Sequence, residues 1–262
     1  MKTKKNSNKK IALCLGGGGV LGAYHIGVLK AVEELNIKID FIAGTSIGSI
    51  IGALYAAGKS AQQIEEIALH IKWKDFYNLS ICKLGLLSNE KIGNLITKET
   101  NSKKFKDLII PFGVVATDIS KGEKVILKKG NLQKAVMASS CVPGVFIPVE
   151  IQGKLLVDGG IVENVPISVA QEFEAEYIIA VDLNSKHSYT RPKNAIEVLF
   201  NSFEFLSNQA TSLRLNEANL VLEPNLEKFN SINTKQIKEL INKGYKESLK
   251  ILQKTLTDKN MI

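Results

Sequence analysis

The chain has 262 residues, of which 45% are hydrophobic, with a net charge of +8 and three cysteines. That is long enough to bury a substantial core, and no apolar run approaches the roughly 20 residues that a membrane-spanning helix needs. Cys14, Cys82 and Cys141 are scattered, odd in number and without metal-ligand spacing, which excludes a disulfide scaffold and fits a reducing, cytoplasmic compartment.

Lys2, Lys4, Lys5, Lys9 and Lys10 fall in the first ten residues, and without them the net charge drops to about +3. A body so mildly basic gives no reason to expect nucleic acid as a partner. Residues 1–10 read as a disordered tail, either merely solubilising or drawn peripherally to anionic lipid at up to about 1 kcal/mol per lysine. The apolar run that follows, Ile11 to Leu15, is too short for an export signal, and Leu13 is not the small residue a cleavage site wants before Cys14. It reads instead as a first strand over Lys10 to Leu15, apolar throughout and so buried on both faces of a parallel sheet. A glycine-rich turn, Gly16 to Gly22, leads into a helix over Ala23 to Leu35 with Ile26, Leu29, Val32 and Leu35 on one face, and Asp40 to Ala43 is the next strand. Strand, helix, strand make an α/β fold.

That second strand enters Gly44-Thr45-Ser46-Ile47-Gly48, a Gly-x-Ser-x-Gly turn of the kind that holds a nucleophilic serine between a strand and a helix. Gly44 and Gly48 flank Ser46 where the two elements come too close for a β-carbon. A helix over Ile47 to Gly58 follows, rich in small residues, and the positive end of its dipole points at Ser46. The earlier glycines, Gly17-Gly18-Gly19-Val20-Leu21-Gly22, also satisfy the dinucleotide fingerprint. The acid that the fingerprint requires at the far end of the second strand is missing, because Asp40 stands at the near end. Both turns open at the same edge of a parallel sheet, so the N–H groups of Gly17, Gly18 and Gly19 read as an oxyanion hole beside Ser46.

Ser60 caps the next helix with Gln63 three residues on, ahead of an apolar stripe of Ile64, Ile67, Ala68 and Ile71. Trp73, Phe76, Tyr77, Leu84, Leu86 and Leu87 form a weakly patterned cluster that suits a lid, an acyl-chain wall or plain core, and a helix over Ser88 to Glu99 closes it. Ile109 to Thr117 is predicted as a buried strand paired to Lys124–Leu127, Asn131 caps a short helix through Ser140, and Leu155-Leu156-Val157 delivers Asp158-Gly159-Gly160 at a strand end. Pro166 opens a helix through Phe173, and Tyr177 to Leu183 is the last strong strand. Beyond residue 184 the pattern weakens: a helix over Asn194 to Leu215, a short strand over Asn219 to Leu222, and a final helix capped by Thr234. Residues 11–262 are expected to form one domain.

A serine needs a base. Of the three histidines, His25 lies inside the first helix, where packing or hydrogen bonding is its natural role, and His70 lies near the end of the Ser60 helix. His187 follows Asp158 and completes the Ser, Asp, His order of an α/β-hydrolase triad, though in a polar loop with nothing to hold it. Asp158 is fixed by its strand and by Gly159-Gly160.

The glycine turn with the following Ala23-Tyr24-His25-Ile26-Gly27-Val28-Leu29, the Ser46 elbow, Ala116-Thr117-Asp118, Ala138 to Phe146, and Asp158-Gly159-Gly160 through Pro166 together resemble the patatin-like phospholipase family, above all its short bacterial members, over residues 11–183. The resemblance implies a three-layer α/β/α sandwich on a mainly parallel sheet, and lipid acyl hydrolysis by a Ser46–Asp158 dyad with no histidine. It also implies a glycine-turn oxyanion hole, no metal or organic cofactor, and a lipid or other acyl ester as substrate. One departure is Leu21, where the family usually carries Arg or Lys. A soluble carboxylesterase with a Ser46–Asp158–His187 triad, and a non-catalytic regulator that binds an acyl ligand on the same fold, stand as alternatives.

Overall fold

The computed structural model describes residues 9–71, 77–186, 191–212 and 214–258. Most of the basic tail, together with Trp73, Phe76 and His187, lies outside the described residues. The strands are β1 (Ile11–Leu15), β2 (Phe41–Gly44), β3 (Asn78–Cys82), β4 (Gly85–Ser88), β5 (Phe112–Asp118), β6 (Glu123–Leu127), β7 (Val149–Ile151), β8 (Lys154–Asp158), β9 (Tyr177–Val181) and β10 (Leu220–Leu222). The α-helices are α1 (Ala23–Glu34), α2 (Ile47–Ala56), α3 (Ala61–His70), α4 (Glu90–Thr100), α5 (Leu132–Ser139), α6 (Ile167–Glu172), α7 (Ala195–Ser212) and α8 (Ile237–Asp258).

Eight strands make the central sheet in the order β10-β9-β1-β2-β5-β8-β7, with β6 also on β5, while β3 and β4 form a separate hairpin. The pairs from β10 to β5 are parallel, and those of β5 with β6 and β8 and of β7 with β8 are antiparallel. Strand β1 shows why its sequence is uninterruptedly apolar. Leu13 and Leu15 pack into one core with α1, α2 and α8, whereas Ala12 and Cys14 pack into a second with α6. Both faces are covered, so the architecture is the three-layer α/β/α sandwich the resemblance implies.

Three local expectations shift. Strand β5 begins at Phe112 rather than Ile109, because Pro111 has no N–H to give a ladder, and Ile109 and Ile110 donate instead to Ala56 O at 2.9 and 3.0 Å. The cap before α8 is Asn233, whose side chain accepts from Lys235 N–H, and Thr234 begins a short 3₁₀ turn that leads into the helix. The Leu84–Leu87 stretch is partly strand, paired as the β3–β4 hairpin. Ser60 and Gln63 make the expected reciprocal capping box.

One feature of the register positions the site. Gly44, the last residue of β2, pairs with Val114, but β5 continues to Asp118. Its overhang pairs with β8, which runs the opposite way and ends with Asp158 opposite Ala116. The antiparallel strand thus returns Asp158 toward the level at which β2 delivers the Ser46 elbow.

Candidate active site

Ser46 adopts φ 53°, ψ −125°, a backbone region that costs a residue with a side chain about 1–3 kcal/mol. The surroundings hold it there. Its N–H donates to Ser139 O at 3.1 Å, and its carbonyl accepts the Ser49 N–H at 2.9 Å and the Ser49 hydroxyl at 2.6 Å. A β-carbon at Gly48 would come within 2.0 Å of Leu15 O, so only glycine lets α2 start this close to β1. Thr45 Oγ1 donates to Glu163 O at 3.2 Å and ties the elbow to the Asp158 loop.

The glycine turn is secured from four sides. Gly16 N–H donates to Val181 O at 3.2 Å, Val20 N–H to Ser231 O at 2.7 Å, and Asn184 Nδ2 to Gly17 O at 3.5 Å. His25, fully buried, has its pKa lowered by desolvation to about 4, so it is neutral, and its Nε2–H donates to Gly16 O at 2.7 Å. The three glycines are not equivalent as donors. Gly17 N–H is committed to Asn164, at 3.0 Å from Oδ1 and 3.4 Å from O. Among the described residues, the N–H groups of Gly18 and Gly19 have no acceptor, and both sit at positive φ, 153° and 57°. The expectation of three free N–H donors therefore narrows to Gly18 and Gly19. Gly17 still backs onto the serine, since a β-carbon there would lie 3.1 Å from Ser46 Cβ. Gly22 faces Ile47 in the same way. Leu21, in the place of the family's usual cation, is wholly buried in the core.

Asp158 is fully buried, and its Oδ1 accepts the Gly160 N–H at 2.9 Å. Its backbone is pinned by N–H donation to Cys141 O at 2.8 Å and by Thr117 Oγ1 donating to its carbonyl at 2.8 Å. Gly159 passes so close to β5 that a β-carbon would meet Val115 O at 2.3 Å. Desolvation pushes the Asp158 carboxyl up to about 7, against the pull of the Ser46 hydroxyl and the Gly160 N–H. Oδ2 closes no hydrogen bond of standard geometry among the described residues, although the Ser46 hydroxyl stands near enough to stabilise the carboxylate. Among the described residues, no cation is paired with it. Of the histidines, His25 serves the glycine turn and His70 is exposed at the end of α3.

From Ser46 an apolar pocket with an empty volume of about 910 Å³, mouth included, extends along α2 between α3 and α4. The predicted stripe Ile64, Ile67, Ala68 and Ile71 forms one wall, and Ile92, Leu95 and Phe146 form another. Of the cluster read as a lid, an acyl-chain wall or plain core, the described members do not line this pocket: Leu87 and Tyr77 pack into a core with Cys141, Val145 and Phe146, and Leu84 and Leu86 are exposed. Thr234 and Ile237 also line the pocket, from a stretch in which sequence patterning placed nothing functional.

The family model for the patatin-like phospholipase matches residues 13–170. The chain belongs to the patatin-like phospholipase family. This patatin-like chain is 35% identical over 191 residues to an uncharacterized NTE family protein of Mycobacterium tuberculosis, which covers 72% of this chain and 53% of that protein. It is 36% identical over 186 residues to the human Patatin-like phospholipase domain-containing protein 6, covering 67% and 13%, and 32% identical over 190 residues to Lysophospholipase NTE1 of Scheffersomyces stipitis, covering 70% and 12%. The chain therefore spans about half the length of the mycobacterial relative and a small part of the other two. Among solved structures, VipD from Legionella pneumophila superposes with a TM-score of 0.58 at 15% identity over 94% of this chain and 67% of that one. The type III effector protein ExoU gives 0.53 at 13% identity over 94% and 53%. These likenesses show the same fold.

Proposed function

We propose that this patatin-like protein is a lipid acyl hydrolase that cleaves carboxylic esters by a Ser46–Asp158 dyad. The observation that carries the reading is the meeting of a strained serine, at the polar end of an apolar pocket, with a buried carboxylate behind it that has no cation among the described residues. The acyl chain lies in the pocket and brings its ester carbonyl to Ser46. Ser46 Oγ attacks the carbonyl carbon while its proton passes to Asp158 Oδ2, a contact that tightens when substrate is bound. The negative charge that develops on the carbonyl oxygen is met by the N–H groups of Gly18 and Gly19, each such donor being worth about 2.7–4 kcal/mol in the transition state. Collapse of the tetrahedral species breaks the ester C–O bond, and Asp158 returns the proton to the leaving alcohol. Water then attacks the acyl-serine with Asp158 again as base, releasing the fatty acid and restoring both groups. A base with a pKa near 7 suits this exchange, because it accepts and returns a proton at neutral pH with little bias.

The test pairs a lysophospholipid hydrolysis assay with labelling by a fluorophosphonate probe. Fatty acid release and a covalent adduct on Ser46 are expected. A folded protein that shows neither refutes the hydrolase reading.

A further inference from the structure

The pocket also carries information about the length of the chain it accepts. Ile47, Ile50, Ile51 and Leu54 of α2 recur at helical spacing along its wall, so the pocket follows α2 away from Ser46. Helix α2 ends at Ala56, and α3 starts at Ala61 after a short turn. Helix α3 runs antiparallel to α1, the Ala61 N–H donating to Glu33 and Glu65 pairing with Lys30, so Ile64 lies toward the far end of the pocket with Leu54 and Ile67 and Ile71 come progressively nearer the Ser46 end. Burial follows that order: Ile64 is 1% and Leu54 2% exposed, while Ile67, Ala68 and Ile71 are half-buried. Behind the turn the chain around Ile109 and Ile110 is bonded to Ala56 O. The mouth therefore lies by Ser46 and Ile71, and the blind end by Leu54 and Ile64.

We infer that Leu54 and Ile64 form a floor that measures the acyl chain, so that the site selects a single medium-length chain of about ten carbons. Eight residues of α-helix separate Ser46 from Leu54, about 12 Å at 1.5 Å per residue. A fully extended chain advances about 1.2 Å per bond, so about ten bonds fill that depth. Among the described residues, those that line the stretch by Leu54 and Ile64 are apolar, so neither a headgroup nor a hydroxylated chain is accommodated there. This inference rests on the reading of Ser46 as the nucleophile.

A series of p-nitrophenyl esters from butanoyl to tetradecanoyl, presented in one detergent, reads the floor directly. For the unaltered protein, kcat/KM should peak near decanoyl and fall at tetradecanoyl. Leu54→Phe should move the peak to shorter chains and lower the decanoyl-to-hexanoyl ratio by about tenfold or more, because a methylene that fits or fails to fit an apolar pocket changes discrimination by about 10–200-fold. Leu54→Ala and Ile64→Ala should each move it to longer chains. Ratios between chain lengths do not depend on the folded fraction, so a loss of stability does not obscure the result. A profile without a maximum, or a maximum that none of the three variants moves, overturns the inference. If no ester is turned over, competition between decanoate and tetradecanoate for a fluorescent fatty acid reads the floor without chemistry. Loss of the decanoate preference in Leu54→Ala then upholds the floor, and equal binding of both acids by the unaltered protein refutes it, whatever becomes of the hydrolase reading.

Discussion

Asp158 and Glu163 stand at the two ends of the short Gly159–Ile161 turn, and both are buried, at 0% and 2% exposure. Glu163 is saturated. Lys124 Nζ lies 2.8 Å from Oε2, the Ser168 N–H donates to Oε1 at 2.8 Å, the Ser168 hydroxyl donates to Oε2, and Arg214 reaches to within 3.8 Å. Among the described residues, Asp158 has one backbone N–H on Oδ1, an uncompleted Oδ2 and no cation. The first arrangement fixes a carboxylate in a closed network, at a residue whose backbone carbonyl also accepts the Thr45 hydroxyl and so ties in the elbow, and the second leaves a carboxylate whose proton is free to exchange. Burial alone distinguishes neither. What differs is whether the buried group is given a partner.

The largest effect that sharpens this contrast is on turnover. Ser46→Ala and Asp158→Asn should each reduce ester hydrolysis by about 10⁴-fold or more, and the double variant should be little worse than either, because members of one catalytic unit are not additive. Glutamine at 163 should do the reverse. Breaking a buried pair whose cations are partly exposed costs about 1–3 kcal/mol, read as a drop in melting temperature of roughly 2–4 °C per kcal/mol, with much less loss of activity. Melting curves beside initial rates for Asp158→Asn and Glu163→Gln decide the matter. An Asp158→Asn protein that melts far lower while its folded fraction remains active would reverse the two roles.

The pH dependence is the next effect in size. Asp158 must be ionised to act, so kcat/KM should rise up to about tenfold per pH unit below 7 and level off above it. Stability should run the other way. The folded pKa lies above the ordinary carboxylate value, the folded state binds the extra proton between about pH 4 and 7, and stability therefore declines as pH rises through that window. Asp158→Asn should remove its share of that decline, since the buried carboxyls of Glu204 and Asp182, raised to about 7 and about 6, contribute to it as well. Glu204 is also pushed by burial to about 7 while bonded to Ser231, whose carbonyl holds Val20 N–H. A profile unchanged in Glu204→Gln assigns the rate limb to Asp158, and one that loses its inflection there removes it.

Much of this arrangement is legible in the residues, and the parts that are not share a cause. The buried first strand, the glycine turn, the Ser46 elbow and the Ser60 capping box are local: their glycines, capping side chains and apolar runs lie within one turn or one element. Asn164 could not be read the same way, because its hold on Gly17 spans 147 residues and depends on β8 returning antiparallel along the overhang of β5. His25 is visible as a packed histidine, but its acceptor, Gly16 O, is fixed only by the start angle of α1. Ser231, Thr234 and Ile237 carry no motif that points to the site, Thr234 reading only as a helix cap. They reach the glycine turn and the pocket because α8 lies along α1, a consequence of the sheet order rather than of any local pattern.

The smallest expected effect concerns His187, which lies outside the described residues, and it separates the dyad from a triad. If His187 were the base, Asp158 would only orient it, and the carboxylate would ordinarily be ionised and paired to the imidazole. The Asp158 found here is raised to about 7 by desolvation, and among the described residues the Ser46 hydroxyl and the Gly160 N–H oppose that shift. A carboxylate so placed is itself poised to take a proton. His187→Ala should then change a polar stretch, Asn184-Ser185-Lys186-His187-Ser188, and shift stability by no more than about 0.5 kcal/mol with turnover nearly intact. A folded His187→Ala protein that loses about a hundredfold or more of its activity would replace the dyad with a histidine-based triad. Because the two mechanisms predict outcomes that differ by powers of ten, a single fixed-substrate assay on the folded variant separates them.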